Sequence, residues 1–184
     1  MKRGIIMRKK PRAGELDIIL TGFMATGKTS AGKKLAGRLE RRFIDTDRLV
    51  EAASGMKISV IFEQYGEAYF RDLESKALAG LGQHPPGSLV VATGGGALLR
   101  EENREILKQR GLLILLTAKP QTIIERAAKT GKRPLLNVPD PEAKVKALLE
   151  ERQQSYSACD LQVDTTGKSV EQVVTELVSY LTGQ

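Results

Sequence analysis

The chain is poor in the residues on which several kinds of chemistry depend. Its 184 residues include one cysteine, Cys159, one histidine, His84, and no tryptophan. A single cysteine closes no internal disulfide and fits a reducing compartment such as the cytoplasm. As a nucleophile it would need a base, yet the lone histidine precedes Pro85-Pro86, where a surface turn is expected. A Cys–His pair is therefore set aside. Aromatic residues make up 4% of the chain, which gives an aliphatic core and no stacking platform for single-stranded nucleic acid. No apolar run approaches the roughly 20 residues that span a bilayer, so no membrane partner is expected.

What the chain has in excess is positive charge, with a formal net charge of +7. Six of its 29 basic residues, Lys2, Arg3, Arg8, Lys9, Lys10 and Arg12, crowd the first twelve positions, where no acid occurs. The remaining 23 face 22 acidic residues, so the body of the chain is close to neutral. The head, "MKRGIIMRKKPRAG", is too short in its apolar part for a secretory signal. It reads as a basic, disordered extension over 1–14, and no nucleic-acid partner is expected.

Residues 15–184 read as one domain without repeats. Continuous apolar runs at 16–20, 43–44, 89–93, 112–117 and 161–164 alternate with helical patterns at 28–40, 47–82, 100–110, 120–129, 141–156 and 169–182. Buried strands each followed by a helix predict an α/β fold, a parallel sheet with helices on both faces. Ligands of such sheets bind beyond the carboxyl ends of the strands. Three distinctive stretches fall there: "GFMATGKT", "DTD" and "GGG".

The first matches the phosphate-loop pattern in full, Gly22-x4-Gly27-Lys28-Thr29. Its glycines let backbone N–H groups turn toward phosphate oxygens, and the helix that follows adds its positive end. Gly22, Ala25, Thr26, Gly27, Lys28, Thr29 and Ser30 are the expected nucleotide-binding residues, which leaves a kinase, a GTPase and a motor ATPase all open. Lys28 reaches the β- and γ-phosphates, and the Thr29 hydroxyl is placed for Mg²⁺. Asp45 and Asp47 flank Thr46 where a strand gives way to a helix. Helix capping explains either one alone. Together, opposite the glycine loop, they allow one carboxylate to hold Mg²⁺ through its waters and the other to orient an acceptor hydroxyl.

Arg71 is either a helix cation paired with Glu67, Glu74 or Glu63, or part of a site. Arg133, between Gly131 and Pro134, is a solvated loop charge or a lid cation. Arg152, beside Glu150 and Glu151, reads on its own as a helix-surface arginine. An anionic acceptor gives all three a common purpose, since planar guanidinium groups grip carboxylates in bidentate fashion.

"GFMATGKT", "FIDTD", "FR", "GGGA" and "RPLL", in this order and spacing, closely resemble the shikimate kinases. The resemblance runs from about Leu16 to Leu181 and leaves out the basic head. It implies a P-loop NTPase-type fold, a helical substrate-binding segment at about 45–75 and a mobile lid at about 129–141. The implied reaction is ATP-dependent phosphorylation of the 3-hydroxyl of shikimate, in the pathway to chorismate and the aromatic amino acids. The implied partners are shikimate and MgATP, acting on a monomer.

By the same resemblance, Asp47 binds the acceptor hydroxyls and serves as base, and Asp45 stands near Mg²⁺ with Thr29. Arg71 and Arg152 hold the shikimate carboxylate against a wall made by Gly94, Gly95 and Gly96. Arg133 reaches the phosphates, joining Lys28 and Asp47 as the catalytic set. Arg126 lies beside the adenine, and Lys168 falls in the adenine loop. There are departures. Ala25-Thr26 stands where Gly-Ser or Gly-Ala is commoner, with little effect expected, and "ERQQSY" lacks a proline often found between the matching arginine and tyrosine. The competing readings are another small-molecule kinase of this architecture, for gluconate or a nucleoside monophosphate, and a nucleotide-binding module without catalysis.

Overall fold

The computed structural model describes residues 16–130 and 138–183. Five strands form one parallel sheet: β1 (Asp17–Thr21), β2 (Arg42–Asp45), β3 (Leu89–Ala92), β4 (Gly111–Thr117) and β5 (Leu161–Asp164). Their spatial order is β2-β3-β1-β4-β5. The helices are α1 (Lys28–Arg38), α2 (Thr46–Ser54), α3 (Ile58–Gly80), α4 (Glu101–Arg110), α5 (Pro120–Thr130), α6 (Pro141–Tyr156) and α7 (Val170–Thr182). The expected α/β architecture is present, with strand limits within a residue or two of those read from the apolar runs.

Because successive strand residues point to opposite faces, one strand feeds two cores. Ile18 and Leu20 join Leu35 of α1 and Val174 and Leu177 of α7 on one side of the sheet. Ile19, between them, joins Leu78 of α3 and Leu107 of α4 on the other. This two-sided burial is why the strands read as unbroken aliphatic runs. Two smaller cores flank the sheet. Phe23, Ile123 and Val145 pack α5 against α6, and Val50, Ile61 and Phe70 pack α2 against α3.

α1 stops two residues short of the expected Glu40. Leu39 caps it, and Glu40 turns into the left-handed region at φ 53°. α3 is two helices in one. Gly66, at φ 78° and ψ 178°, breaks the helical path between the segment that begins at Ile58 and the one that carries Arg71. Open space surrounds the position where a Cβ would stand, so glycine is there for its backbone angles alone.

The amino-terminal edge of the sheet is fastened by a buried carboxylate. Asp17 is fully buried, accepts a hydrogen bond from the Leu89 N–H at 2.9 Å, and is paired with the Arg110 guanidinium at 2.5 Å. Arg110 also donates to the carbonyls of His84 and Pro85, which locks the turn before β3. Removing the carboxylate strands a half-buried guanidinium and a strand N–H. Asp17→Ala should therefore lower the unfolding free energy by about 3–5 kcal/mol, read from urea denaturation, with activity per folded molecule unchanged.

Candidate active site

The loop between β1 and α1 takes its shape from two left-handed glycines and a close contact. Gly22 has φ 133°, and a Cβ on it would stand 2.2 Å from the Leu116 carbonyl oxygen of β4. No other residue fits there. The Thr26 hydroxyl donates to the Phe23 carbonyl at 2.8 Å and closes the turn from within. Lys28 lies across the loop, its Nζ donating to the Gly22 and Phe23 carbonyls, both at 2.8 Å. No side chain caps α1 and no acid stands in its first turn. Its first N–H groups and the positive end of its dipole thus face the cleft.

Asp45 caps α2 and also faces the phosphate loop. Its Oδ1 accepts from the N–H groups of Asp47 and Arg48, capping α2. Its Oδ2 accepts from the Thr29 hydroxyl at 2.8 Å. This all-oxygen pair suits a hard cation such as Mg²⁺, which takes one or two protein ligands and completes its shell with phosphates and water. Among the described residues there is no cluster of three or more His, Cys, Asp or Glu side chains that would favour another metal. Asp47, in the first turn of α2, lines the same cleft.

The glycine triplet after β3 is a wall with charged groups pressed against it. A Cβ on Gly94 would stand 2.5 Å from Glu74 Oε1 and 2.7 Å from Asp47 Oδ1, and one on Gly96 would stand 2.4 Å from an Arg71 nitrogen. Arg71 donates to Glu74 Oε2 at 2.8 Å and to Glu67 Oε1 at 2.8 Å. Glu74 is 1% exposed, and its Oε1 has no hydrogen-bond partner among the described residues. Burial raises the pKa of its carboxyl, Arg71 opposes the rise, and the charge of Asp47 adds to it. Burial works against the Arg71 charge as well, but Glu74 and Glu67 outweigh it and raise the Arg71 pKa.

The wall is held from the far side by α6. Arg152 donates to the Gly95 carbonyl at 3.1 Å, and so does the Tyr156 hydroxyl at 2.9 Å. Arg152 is 9% exposed, with its guanidinium carbon 5.1 Å from the centroid of the Phe23 ring. The helix-surface reading of this arginine is thereby corrected. The acidic neighbours Glu150 and Glu151 face outward, whereas Arg152 turns into the protein because its helical face packs on Phe23 and the glycine wall.

A cleft of about 550 Å³ runs from Asp47 and Gly95 along the phosphate loop to Arg126, Thr165, Lys168 and Ser169. At that end Arg126 donates to the Thr165 hydroxyl at 2.9 Å, the Thr165 carbonyl at 2.7 Å and the Ala25 carbonyl at 3.4 Å. Lys168 borders the cleft but sends its ammonium to Glu176 of α7. Ser30 lines the cleft beside Thr29. Arg133 and most of the segment 129–141 assigned as a lid lie outside the described residues, as does the basic head.

A family model described as shikimate kinase matches residues 24–182. The chain belongs to the shikimate kinase family. The shikimate kinase of Caldanaerobacter subterraneus subsp. tengcongensis is 46% identical over 165 residues, which is 88% of this chain and 94% of that protein. That of Geobacter sulfurreducens is 43% identical, covering 97% of each. A solved structure of Acinetobacter baumannii shikimate kinase in complex with shikimate superposes with a TM-score of 0.85 at 35% identity, covering 92% of this chain and 94% of that one.

Two features of this family member escaped the sequence. Glu74 entered only as a partner for Arg71, though its i, i+3 spacing after a site arginine was a usable sign. Tyr156 lies one turn after Arg152 and shares its target. Cys159 stays a neutral thiol, since burial pushes its pKa up to about 12, consistent with the exclusion of thiolate chemistry.

Ala25 changes an expectation. It occupies the left-handed region at φ 58°, where an L side chain costs about 1 kcal/mol and glycine costs nothing. The commoner glycine at this position thus has a conformational reason. Ala25→Gly should raise the unfolding free energy by about 0.5–1 kcal/mol in urea titration without loss of ATP affinity.

Proposed function

We propose that the protein transfers the γ-phosphoryl group of ATP to the 3-hydroxyl of shikimate, giving shikimate 3-phosphate and ADP in aromatic amino acid biosynthesis. One observation carries the assignment. A single cleft joins a complete phosphate loop to a glycine wall flanked by Asp47, Arg71 and Arg152, a grip suited to a small hydroxylated carboxylic acid. A family relative solved with shikimate bound supports the same acceptor. A nucleoside monophosphate acceptor would need a base-sized pocket, which the packing of Arg71, Glu74 and Arg152 on that wall does not provide. The described part of the cleft is built by one chain, and a monomer is the proposed form. No helix among the described residues is long and apolar enough to cross a membrane.

The phosphate loop and the start of α1 hold the phosphates, and Lys28 leaves the loop carbonyls to meet the β- and γ-oxygens. Arg71 and Arg152 orient the acceptor by its carboxylate, while Gly94, Gly95 and Gly96 let its ring approach the backbone. Asp47 accepts the proton of the 3-hydroxyl as its oxygen attacks the γ-phosphorus in line and the bond to the ADP oxygen breaks. Thr29 and Asp45 would hold Mg²⁺, which when bound supplies neutralisation of phosphate charge. Arg133 adds a cation to the same oxygens, and the segment around 129–141 closes over ATP to exclude water. Arg126 and the loop bearing Lys168 border the adenine. Positioning and electrostatics supply the acceleration, because the loose transition state asks little covalent help.

ADP release from MgATP should be strongly stimulated by shikimate; absence of stimulation would overturn the acceptor while leaving the nucleotide site intact. Asp47→Asn should reduce turnover by about 100-fold or more with ATP affinity within twofold. Near-normal turnover would remove Asp47 from proton transfer.

A further inference from the structure

Four residues beyond Gly96, Arg100 stands outside the cleft and is not among the residues that line it. Its guanidinium reaches across to α3. It is paired with Asp72 at 2.8 Å, donates to the Ser75 hydroxyl at 3.4 Å, and approaches the Ala68 carbonyl at 3.5 Å. Ala68, Asp72 and Ser75 are spaced i, i+4, i+7 and form one stripe along the second half of α3. Glu67, Arg71 and Glu74 have the same spacing, offset by one residue, and form the adjacent stripe. One stripe carries the arginine that meets the glycine wall. The other is gripped by a residue from the chain that leaves that wall.

The Gly66 break lets the two halves of α3 take separate supports. The half that begins at Ile58 packs on α2 through Ile61 and Val50, and Phe70, the residue before Arg71, joins the same core from the second half. Beyond the Gly66 break, that second half is held by Phe70 and Leu78 on its apolar side and by Arg100 along the stripe next to Arg71. We infer that Arg100 is a positioning residue for the acceptor: it latches the Arg71-bearing half of α3 to the glycine wall and so sets acceptor affinity without touching either substrate. The inference rests on the assignment of Arg71 to the acceptor carboxylate.

Magnitudes favour this role over a purely structural one. Arg100 and Asp72 are 31% and 59% exposed, and ion pairs so exposed add little to stability. Geometry is far more sensitive, because a shift of about 1 Å in a positioning group costs up to about 100-fold in rate. The latch should therefore show in acceptor kinetics while unfolding scarcely notices it.

The test is steady-state kinetics of the full chain with MgATP and shikimate, alongside thermal unfolding. Arg100→Met, which keeps the apolar stem, should raise the KM for shikimate about tenfold while the KM for ATP stays within twofold. Arg100→Lys, which keeps the charge but loses the planar fork, should fall between. Asp72→Asn should raise the shikimate KM in the same direction, and adding it to Arg100→Met should change little further. Arg71→Ala serves as the reference for a lost carboxylate grip. An unchanged shikimate KM, an equal rise in both KM values, or fully additive effects of Arg100→Met and Asp72→Asn would each overturn the latch. If Arg100→Met does not fold, Arg100→Lys and Asp72→Asn decide by the same criteria. Wild-type protein with no shikimate-stimulated turnover would instead refute the acceptor assignment, a separate result.

Discussion

Leu20, Ala92 and Asp45 lie side by side across three parallel strands, in a register that pairs Leu20 with Ala92 and Ala92 with Asp45. From that line the chain leaves the sheet three times: into the phosphate loop after β1, into Asp45-Thr46-Asp47 after β2, and into the glycine triplet after β3. Parallel strands make this possible, since all their carboxyl ends fall on one edge. A shift of one residue in β2 would carry Asp45 out of reach of Thr29 and turn its neighbours to the wrong face. The aliphatic burial on both faces of the sheet opposes such a slip, so the distances in the cleft are secured by residues that never line it.

Charge is distributed around the glycine wall with the same economy. Two carboxylates, Asp47 and Glu74, crowd the Gly94 side of the wall, while two arginines, Arg71 and Arg152, face Gly96 and Gly95. Glu74 is the most deeply buried of the four, and Arg71 is what makes an ionised carboxyl tolerable there. Each arginine also lies over an aromatic ring, Arg71 on Phe70 and Arg152 on Phe23. In a chain with so few aromatics, spending two of its phenylalanines in this way restricts where both guanidinium groups can point.

The fold and the order of its motifs were legible because strands buried on both faces leave unbroken apolar runs, and because glycines around a lysine have few structural uses. Less legible was whatever depended on a third partner. Arg152 looks like a surface residue in "EERQQSY" because its target is a backbone carbonyl 57 residues away, which side-chain spacing does not reveal. The left-handed turn at Ala25 is hidden for a different reason. Its residue type argues for helix, and the loop around it overrides that preference. Gly66 shows no sign of its role either, since a glycine inside a helical pattern reads as a tolerated weakness until its angles are known.

Arg126 has a consequence for how the two ends of the cleft relate. It ties the Ala25 carbonyl of the phosphate loop to the backbone and hydroxyl of Thr165, in the turn that leads to α7. Thr165 in turn donates to the Thr26 carbonyl at 3.2 Å. On the proposed placement of the adenine beside Arg126, the surfaces for the nucleoside and for its phosphates are tied to one another by these bonds. On that reading the cleft acts as a gauge, measuring a nucleotide from its base to its terminal phosphate.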